Sequence, residues 1–545
     1  MANEQDSLFR LQALYQLGDL SLAMQEASFA LNKEPNSESI AFQALKIFAG
    51  AGEEGKMMAT FRQLQNLCHN SWPREALEEM AWGIIEKGSK SCAPETRGMA
   101  LVAAALGNDA RGVNMLLKNS GDSHRLIRAL VVEFAAHFRD EALQEMIQER
   151  LTLEKDLEVR ILLLKAVGKM KIKELERALY QILENERSLA EEKIVAIASL
   201  VELKETVEKK EIQRLIQSPK AALRMLAAKL IEIDEEVDLL LPLLNDTHAE
   251  VRRTALETLG ALRPKTNMSL SHDSIPEVAI TSAWLLTFYD QKVGQEALEK
   301  WLKSPYQEER LYAASALKGA GKYGFPLTIK AFKETQDEFV KLTLAMSLIQ
   351  EDQERLLGLE AIFDAIMNHR ERWMECEFGR FSGIGPCTQN HRADIPHYPE
   401  ALNQMARLKM INLLAIHKHP KAKEATLQFL KGRPWGITGV ASALLLTEGD
   451  EEALKLIREL LNDPSDKIQL QAALVLALWG NDPDATETLE KLYFKVPYAK
   501  KEHIIEALGR IGDSKTIPFL VDRLEEPQGS LRLLAAASLL LTLYH

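Results

Sequence analysis

Cysteine is scarce in this chain, with only Cys68, Cys92, Cys376 and Cys387 in 545 residues. So few thiols over such a length do not make the disulfide framework of a small secreted scaffold. Aromatic residues are also few, 6% against 46% hydrophobic residues overall; with abundant Leu and Ala, this suits one long all-α array better than several globular domains. No apolar run is long enough to span a bilayer. The longest, residues 533–544, falls short of the ~18–20 residues required, so no membrane insertion is expected. The opening MANEQDSLFRLQAL has no basic region followed by an apolar one, which argues against a Sec-type signal peptide. Positive charge is not in excess either: 67 Lys and Arg stand against 79 Asp and Glu, a net charge of −12. That balance opposes a general nucleic-acid surface. Lys165, Lys169, Lys171 and Lys173 are followed by Glu174 and Glu176, as on a solvated helix face.

Catalytic signatures are missing as well. The chain contains no G-x-x-x-x-G-K-[ST], no G-x-S-x-G and no H-E-x-x-H, and these are the spacings that cradle phosphates, expose a nucleophilic Ser or pair two His on a zinc ion. His417 and His419 flank Lys418; at i, i+2 on a helix they would point apart, and they read as residues favoured by a helix C-terminus. No catalytic residue and no cofactor is therefore expected, and the expected location is the cytoplasm.

What the sequence does contain is a phase of about 30 residues: a turn residue, an Arg six positions later and an Ala three beyond that. It reads Ser91/Arg97/Ala100, Ser218/Arg224/Ala227, Asp246/Arg252/Ala255, Ser304/Arg310/Ala313 and Glu526/Arg532/Ala535, and Asp122/Arg128 keeps the first two members. Arg160, Lys193, Ala279, Lys341, Arg407, Gly436, Gln469 and His503 fall where Arg is expected, with one gap of 66 residues between Lys341 and Arg407. Each unit reads as two helices. GDEEALKLIRELLNDPSDKIQLQAALVLALWG breaks an amphipathic helix at Asp463-Pro464 and starts a more apolar one after Ser465, with Asp or Ser as a natural N-cap. In the last unit Pro518 falls in the first turn of helix A, where its missing N–H costs nothing. The small Ala lets the two helices approach. The Arg (97, 128, 224, 252, 310 and 532) can reach a neighbouring unit's turn carboxylate or carbonyls, giving a structural ladder along the stack. Units that cannot bury their apolar faces alone must share one core with their neighbours, so the expected fold is an all-α, right-handed superhelical α-solenoid of stacked antiparallel helix pairs.

NDTHAEVRRTALETLGAL and EHIIEALGRIGDSKTIPFLVDRLEEP resemble HEAT repeats of the short kind found in phycobilin-lyase-like proteins. The resemblance spans roughly residues 90–545 apart from the segment near 370–400. It departs from the Arg pattern at Ala279, Gly436, Gln469 and His503. LYQLGDLSLAMQEASFALNKEPNS, with Gly18, Ala23, Ala30 and Pro35 at matching spacings and Gly52 falling 34 residues after Gly18, resembles a tetratricopeptide repeat. The expected organisation is a helical cap over 1–90, a repeat array over 91–368, an irregular inserted loop over 369–400, and a second array with the C-terminal edge over 401–545. What the resemblance implies about function is an interaction scaffold or adaptor for other proteins. Two alternatives stand beside it: a phycobilin-lyase-like or other enzyme accessory holding a small molecule, and a HEAT-like nucleic-acid binder.

Two places carry the expected contacts. The inserted segment, NHRERWMECEFGRFSGIGPCTQNHRADIPHYPEA, loses helical periodicity after about Cys376, and Gly379, Gly383, Gly385, Pro386, Pro396 and Pro399 read as a long irregular loop. Trp373, Phe378, Phe381, Ile384 and Tyr398 argue that the loop is ordered, and Trp373, Phe378, Phe381 and Tyr398 are its candidate partner-binding residues. Cys376, Cys387, His391 and His397 form a C-x10-C-x3-H-x5-H set, a weak zinc candidate because structural zinc sites pair their first two ligands at closer spacing. The second place is the C-terminal edge. Leu534, Leu541 and the other leucines of the last helix distribute around it, and Ile505 and Leu508 replace the polar Thr254 and Glu257 of the Arg252 unit. Terminal repeats normally turn a polar face to water, so an exposed apolar edge that docks a partner or a second copy is expected, against the plainer reading of a helix packed on the previous repeat.

Overall fold

The computed structural model describes the chain except for residues 1, 70, 107–109, 235, 264–272, 351–353, 369–370, 388–397, 431–454, 456 and 545. The fold is an all-α solenoid of stacked antiparallel helix pairs. In chain order the helices begin with α1 (Ala2–Gln16), α2 (Leu20–Lys33), α3 (Glu38–Gly50), α4 (Glu54–Leu67), α5 (Arg74–Ser89), α6 (Pro94–Leu106) and α7 (Ala110–Asn119). They continue with α8 (Arg125–Ala135), α9 (Glu141–Leu153), α10 (Leu157–Lys169), α11 (Glu176–Glu184), α12 (Ala190–Leu203), α13 (Lys209–Ile216) and α14 (Ala221–Asp234). Next come α15 (Ala249–Leu262), α16 (Pro276–Tyr289), α17 (Gln291–Leu302), α18 (Gln307–Gly319), α19 (Phe325–Glu334), α20 (Glu338–Leu348), α21 (Arg355–Asn368), α22 (Tyr398–Ile416) and α23 (Ala422–Leu430). The chain closes with α24 (Asp466–Gly480), α25 (Thr486–Tyr493), α26 (Tyr498–Ile511), α27 (Ile517–Arg523) and α28 (Gly529–Tyr544).

Two compact units divide the chain. One joins residues 1–166 to residues 461–545; the other is residues 167–460. In the first, α1–α2 and α3–α4 are successive hairpins whose tight turns place Gly18 and Gly52 at φ +75° and +74°, a backbone conformation that glycine adopts without penalty. Asp19 and Ser37 cap α2 and α3 by accepting from the amides of Leu22 and Ile40. The small buried Ala23, Ala27 and Ala30 let α2 lie close to its neighbours.

The second unit alternates A helices, which have one apolar stripe, with B helices buried on most sides. Trp284 and Leu285 of α16, and Tyr312 to Leu317 of α18, are all buried. The A element facing α15 is reduced to two 3-10 turns, Val237–Leu240 and Leu243–Asn245, because Pro242 denies the i→i−4 hydrogen bond.

The arginine phase is a physical ladder. Arg252 donates from Nε and Nη2 to both carboxylate oxygens of Asp273 at 2.6 and 3.0 Å, and from Nη1 to the carbonyl of Asp246 at 2.7 Å. Arg97 does the same with Asp122 and the Ser91 carbonyl, and Arg310 donates from Nε and Nη2 to Oδ2 of Asp337 and from Nη1 to the Ser304 carbonyl. Arg128 uses Glu154 and the carbonyl of Asp122. Asp122, Glu154 and Asp246 therefore each serve two rungs. Asp246 accepts Arg224 on its carboxylate while its carbonyl accepts Arg252, and its Oδ1 also caps the His248 amide. Charge-assisted forks of this kind fix the angle between repeats as well as adding stability.

Candidate protein-binding surface

The segment expected to be an irregular loop is a β-hairpin, and this corrects the sequence reading. Strands β1 (Trp373–Phe378) and β2 (Phe381–Pro386) pair antiparallel, with Phe378 opposite Phe381 and Trp373 opposite Pro386. The turn is Gly379-Arg380, with Gly379 at φ +60°; glycine at the first position of a two-residue loop is what a type II′ hairpin requires. Gly383 and Gly385, which read as helix breakers, are points of close approach. A Cβ on Gly383 would collide with Ser315 Oγ of α18 and lie 3.0 Å from Thr343 Oγ1 of α20, and one on Gly385 would lie 2.6 Å from Cys376 Sγ.

The hairpin runs across the B helices of the second unit. At its root Trp373 is fully buried, its amide donates to Asn403 Oδ1 of α22 at 3.0 Å, and the Arg407 guanidinium lies over its ring at 4.4 Å. Midway, the Ile384 amide donates to Thr343 Oγ1 at 3.0 Å, and Lys318 Nζ of α18 donates to Ser382 Oγ at 3.2 Å. Near the tip Phe381 packs edge-on against Trp284 and Phe378 stacks on Tyr312, with ring centroids 5.0 and 5.3 Å apart. Arg380 then reaches the Glu257 carbonyl of α15 at 2.6 Å. Arg253 and Glu257, paired at 2.9 Å, lie beneath the turn. Five B helices thus contact one extended segment, partly through its side chains and partly through side-chain bonds to its backbone.

Of the loop residues proposed for partner contact, Trp373 and Phe381 are buried against the chain's own helices and Phe378 is half-buried. They are consumed internally, which corrects their expected exposure. Tyr398 begins α22, and its side chain lies outside the described residues. Cys376 and Cys387 are free, half-buried thiols. Burial pushes both up from the usual thiol range, and for Cys376 the neighbouring Cys387 adds to the rise. Such thiols stay protonated at neutral pH. His391 and His397 lie outside the described residues; among those described, no group of three metal-binding side chains occurs.

Ladder position 407 shows why the local sequence misleads here. Arg407 donates to the carbonyls of Ile366 and Glu371, before the hairpin, and to Asn403 Oδ1. A rung has been diverted to hold the hairpin root.

The C-terminal edge is also corrected. Helix α28 packs against α26 on one side and against α5 and α6 on the other. Ile505 and Leu508 are fully buried, while Leu534 and Leu541 are half-buried. Arg532 donates to the carbonyls of Glu526 and Pro527, as a rung should, and then pairs with Glu54 of α4 at 2.8 Å. The N-terminal hairpins take the place of the next repeat, so the apolar face is an internal junction of the first unit. The expectation of an open edge for a second copy loses its exposed surface.

Family models for HEAT repeats match residues 453–540, and a single HEAT repeat matches residues 237–262. Both stretches are HEAT repeats. No curated protein sequence matches the chain. Among solved structures, the UNC-45 chaperone, described as binding and folding muscle myosin, is 14% identical over 98% of this chain and 81% of that one, with a TM-score of 0.31. Kap121p bound to Nup53p is 10% identical over 96% of this chain and 85% of that one, with a TM-score of 0.28. At this distance the likeness transfers neither partners nor mechanism to this chain. Among the described residues, no helix is long and apolar enough to cross a membrane.

Proposed function

We propose that this protein is a non-enzymatic scaffold that binds extended segments of other proteins on the B-helix surface. The observation that carries this reading is the hairpin itself. The B helices α15, α16, α18, α20 and α22 already recognise a strand in cis, and Thr343 and Asn403 do so by accepting from the strand's backbone amides, bonds that do not depend on one side-chain sequence. The same face continues beyond the hairpin tip onto α14 and α12, where Met225 and Lys229 are half-exposed and Ile194 is 58% exposed. A net charge of −12 supports protein partners over nucleic acid. Four free cysteines fit a reducing compartment such as the cytoplasm.

The test is photo-crosslinking in the native cell from benzoylphenylalanine placed at Ile194 or Met225, with a ladder-side position, Glu95, as control, followed by mass spectrometry. Discrete proteins captured from the B-helix positions and not from the control are expected. Equal or absent capture from all three would overturn the reading.

A further inference from the structure

Beside the middle of the hairpin, in the second unit, the C-terminal ends of α18, α20 and α22 and the start of α21 line an open cavity of about 480 Å³, within the range of small-ligand sites. Its walls are Met346, Ile349 and Leu413, and its polar groups are Lys318, Arg355, His417 and Gln350. Among these described lining residues none is acidic, in a chain that carries twelve more acids than bases.

The hairpin carboxylate that acts on Lys318, Glu375, is itself paired with Lys409 at 2.5 Å, and its pull does not offset the burial of the amine. Lys318 is half-buried and donates to a neutral hydroxyl, Ser382 Oγ. Helix C-termini tolerate cations, which explains how Lys318 and His417 come to lie together, but the carbonyls there do not supply a full counter-charge. Burial holds both Lys318 and His417 below their usual ranges, and Arg355 depresses His417 further. An anion entering the cavity would offset that crowding.

We propose that this cavity receives a side-chain carboxylate of an extended partner polypeptide, with neighbouring aliphatic groups of that polypeptide against Met346, Ile349 and Leu413. The proposal rests on the scaffold reading and names the chemistry of its partner. The apolar walls decide against a bare anion, because inorganic phosphate or acetate brings little hydrocarbon to cover them, whereas a Glu flanked by Leu does. Lys318 links the two recognition elements, since its amine bonds the hairpin from the cavity wall.

The experiment uses the full chain and two fluorescein-labelled probes, the peptide Gly-Ser-Leu-Glu-Leu-Glu-Leu-Gly and the same peptide with Gln for Glu, read by anisotropy. At least tenfold tighter binding of the Glu peptide is expected. That preference should vanish in Lys318→Gln and survive in Lys318→Arg. If Lys318→Gln loses helical circular dichroism, Leu413→Glu serves in its place: a fixed carboxylate in the wall should block the Glu peptide. Equal binding of the two peptides, or displacement of the Glu peptide by acetate or phosphate at concentrations as low as its own, would overturn the assignment. Cellular crosslinks from Met225 that persist without any peptide preference would sink the cavity and leave the scaffold standing. Absence of those crosslinks would remove the scaffold reading itself.

Discussion

The terminal junction of the first unit and the hairpin of the second solve the same problem by different chemistry. Each contains apolar side chains that the local sequence leaves without a partner, and each is covered by a distant part of the same chain. At the junction the covering element is treated as another repeat. Arg532 makes its two carbonyl bonds and then finds Glu54 where a following repeat would offer its turn acid. The hairpin has no such precedent in the repeat and uses glycine-sized gaps together with side chains aimed at its backbone. A repeat sequence therefore specifies how a junction is made more readily than what it is made with, while an insertion must write its own contacts.

The largest expected effect comes from breaking the hairpin's fit. Gly383→Ala places a methyl against Ser315 Oγ and beside Thr343, and overpacking of this kind costs about 1–3 kcal/mol. Chemical denaturation should show that loss, with faster amide exchange over residues 373–386 and 338–348. Ser315 Oγ is buried without a hydrogen-bond partner, so Ser315→Ala removes both the obstacle and an unsatisfied hydroxyl, and adding it should restore much of the stability. No rescue would mean that the glycine serves the strand backbone and not the contact with α18.

A regular rung comes next. Arg252→Ala removes a two-point ion pair and a carbonyl bond and leaves Asp273 largely buried without its partner; hydrogen bonds to charged groups are worth about 1.5–3 kcal/mol. Arg532→Ala should cost a comparable amount if the terminal junction is a true rung. Arg62, paired with Glu525 across the same junction but with both side chains substantially exposed, should cost ~0.5 kcal/mol or less. Equal effects of Arg532→Ala and Arg62→Ala would show that the junction is held by apolar contact alone.

The ladder was legible in sequence because it is local and periodic: a turn residue six positions before an Arg fixes one bond within the repeat, and the next turn acid fixes the other. The partner of the last rung was not legible, because Glu54 is separated from Arg532 by most of the chain and nothing in the spacing of either marks it. The hairpin was hidden for another reason. Trp373, Glu375 and Glu377 alternate with Met374, Cys376 and Phe378, a strand pattern, and Gly379-Arg380 is a turn signal. Gly383, Gly385 and Pro386 outweighed it because their role, clearance for α18 and for Cys376, exists only after folding. Arg253, Glu257, Thr343 and Asn403 went unnoticed as contact residues for the same cause: each is an ordinary B-helix side chain until the strand lies on it.

Acid should separate the rungs from the hairpin. Hydrogen bonds from Arg252 hold Asp273 below the usual carboxylate range, and those from Arg128 do the same for Glu154; burial works in the opposite direction. For Asp122 and Asp246 burial would raise the pKa, and the bonds from Arg97 and Arg224 outweigh it. A depressed folded pKa contributes stability that is present above the unfolded value and lost as pH falls through the folded one. Stability should therefore drop below about pH 4, near the unfolded carboxylate values, and Asp273→Asn should flatten that slope while lowering the plateau at neutral pH. The hairpin's bonds to Thr343 and Asn403 involve no ionisable group, so Gly383→Ala should shift the curve down without changing its slope.

The smallest expected effect sharpens the contrast between the two regions. Gly88 of α5 faces Leu533 of α28 across the terminal junction, and an added Cβ would lie 3.0 Å from Leu533 Cδ1 and 3.4 Å from the Ala100 methyl. The tightest of these contacts is the end of a flexible side chain, which can turn aside by a few tenths of an ångström. Alanine within a helix also gains about 1 kcal/mol of intrinsic propensity over glycine. Gly88→Ala should accordingly change stability by no more than about 0.5 kcal/mol, the two terms opposing each other. The same substitution at Gly383 has no helical gain to offset its collision. Thermal unfolding of the two variants side by side tests the distinction: a loss at Gly88 as large as that at Gly383 would mean that the junction is as closely fitted as the hairpin, and that its resemblance to an ordinary repeat interface ends at the Arg532 rung.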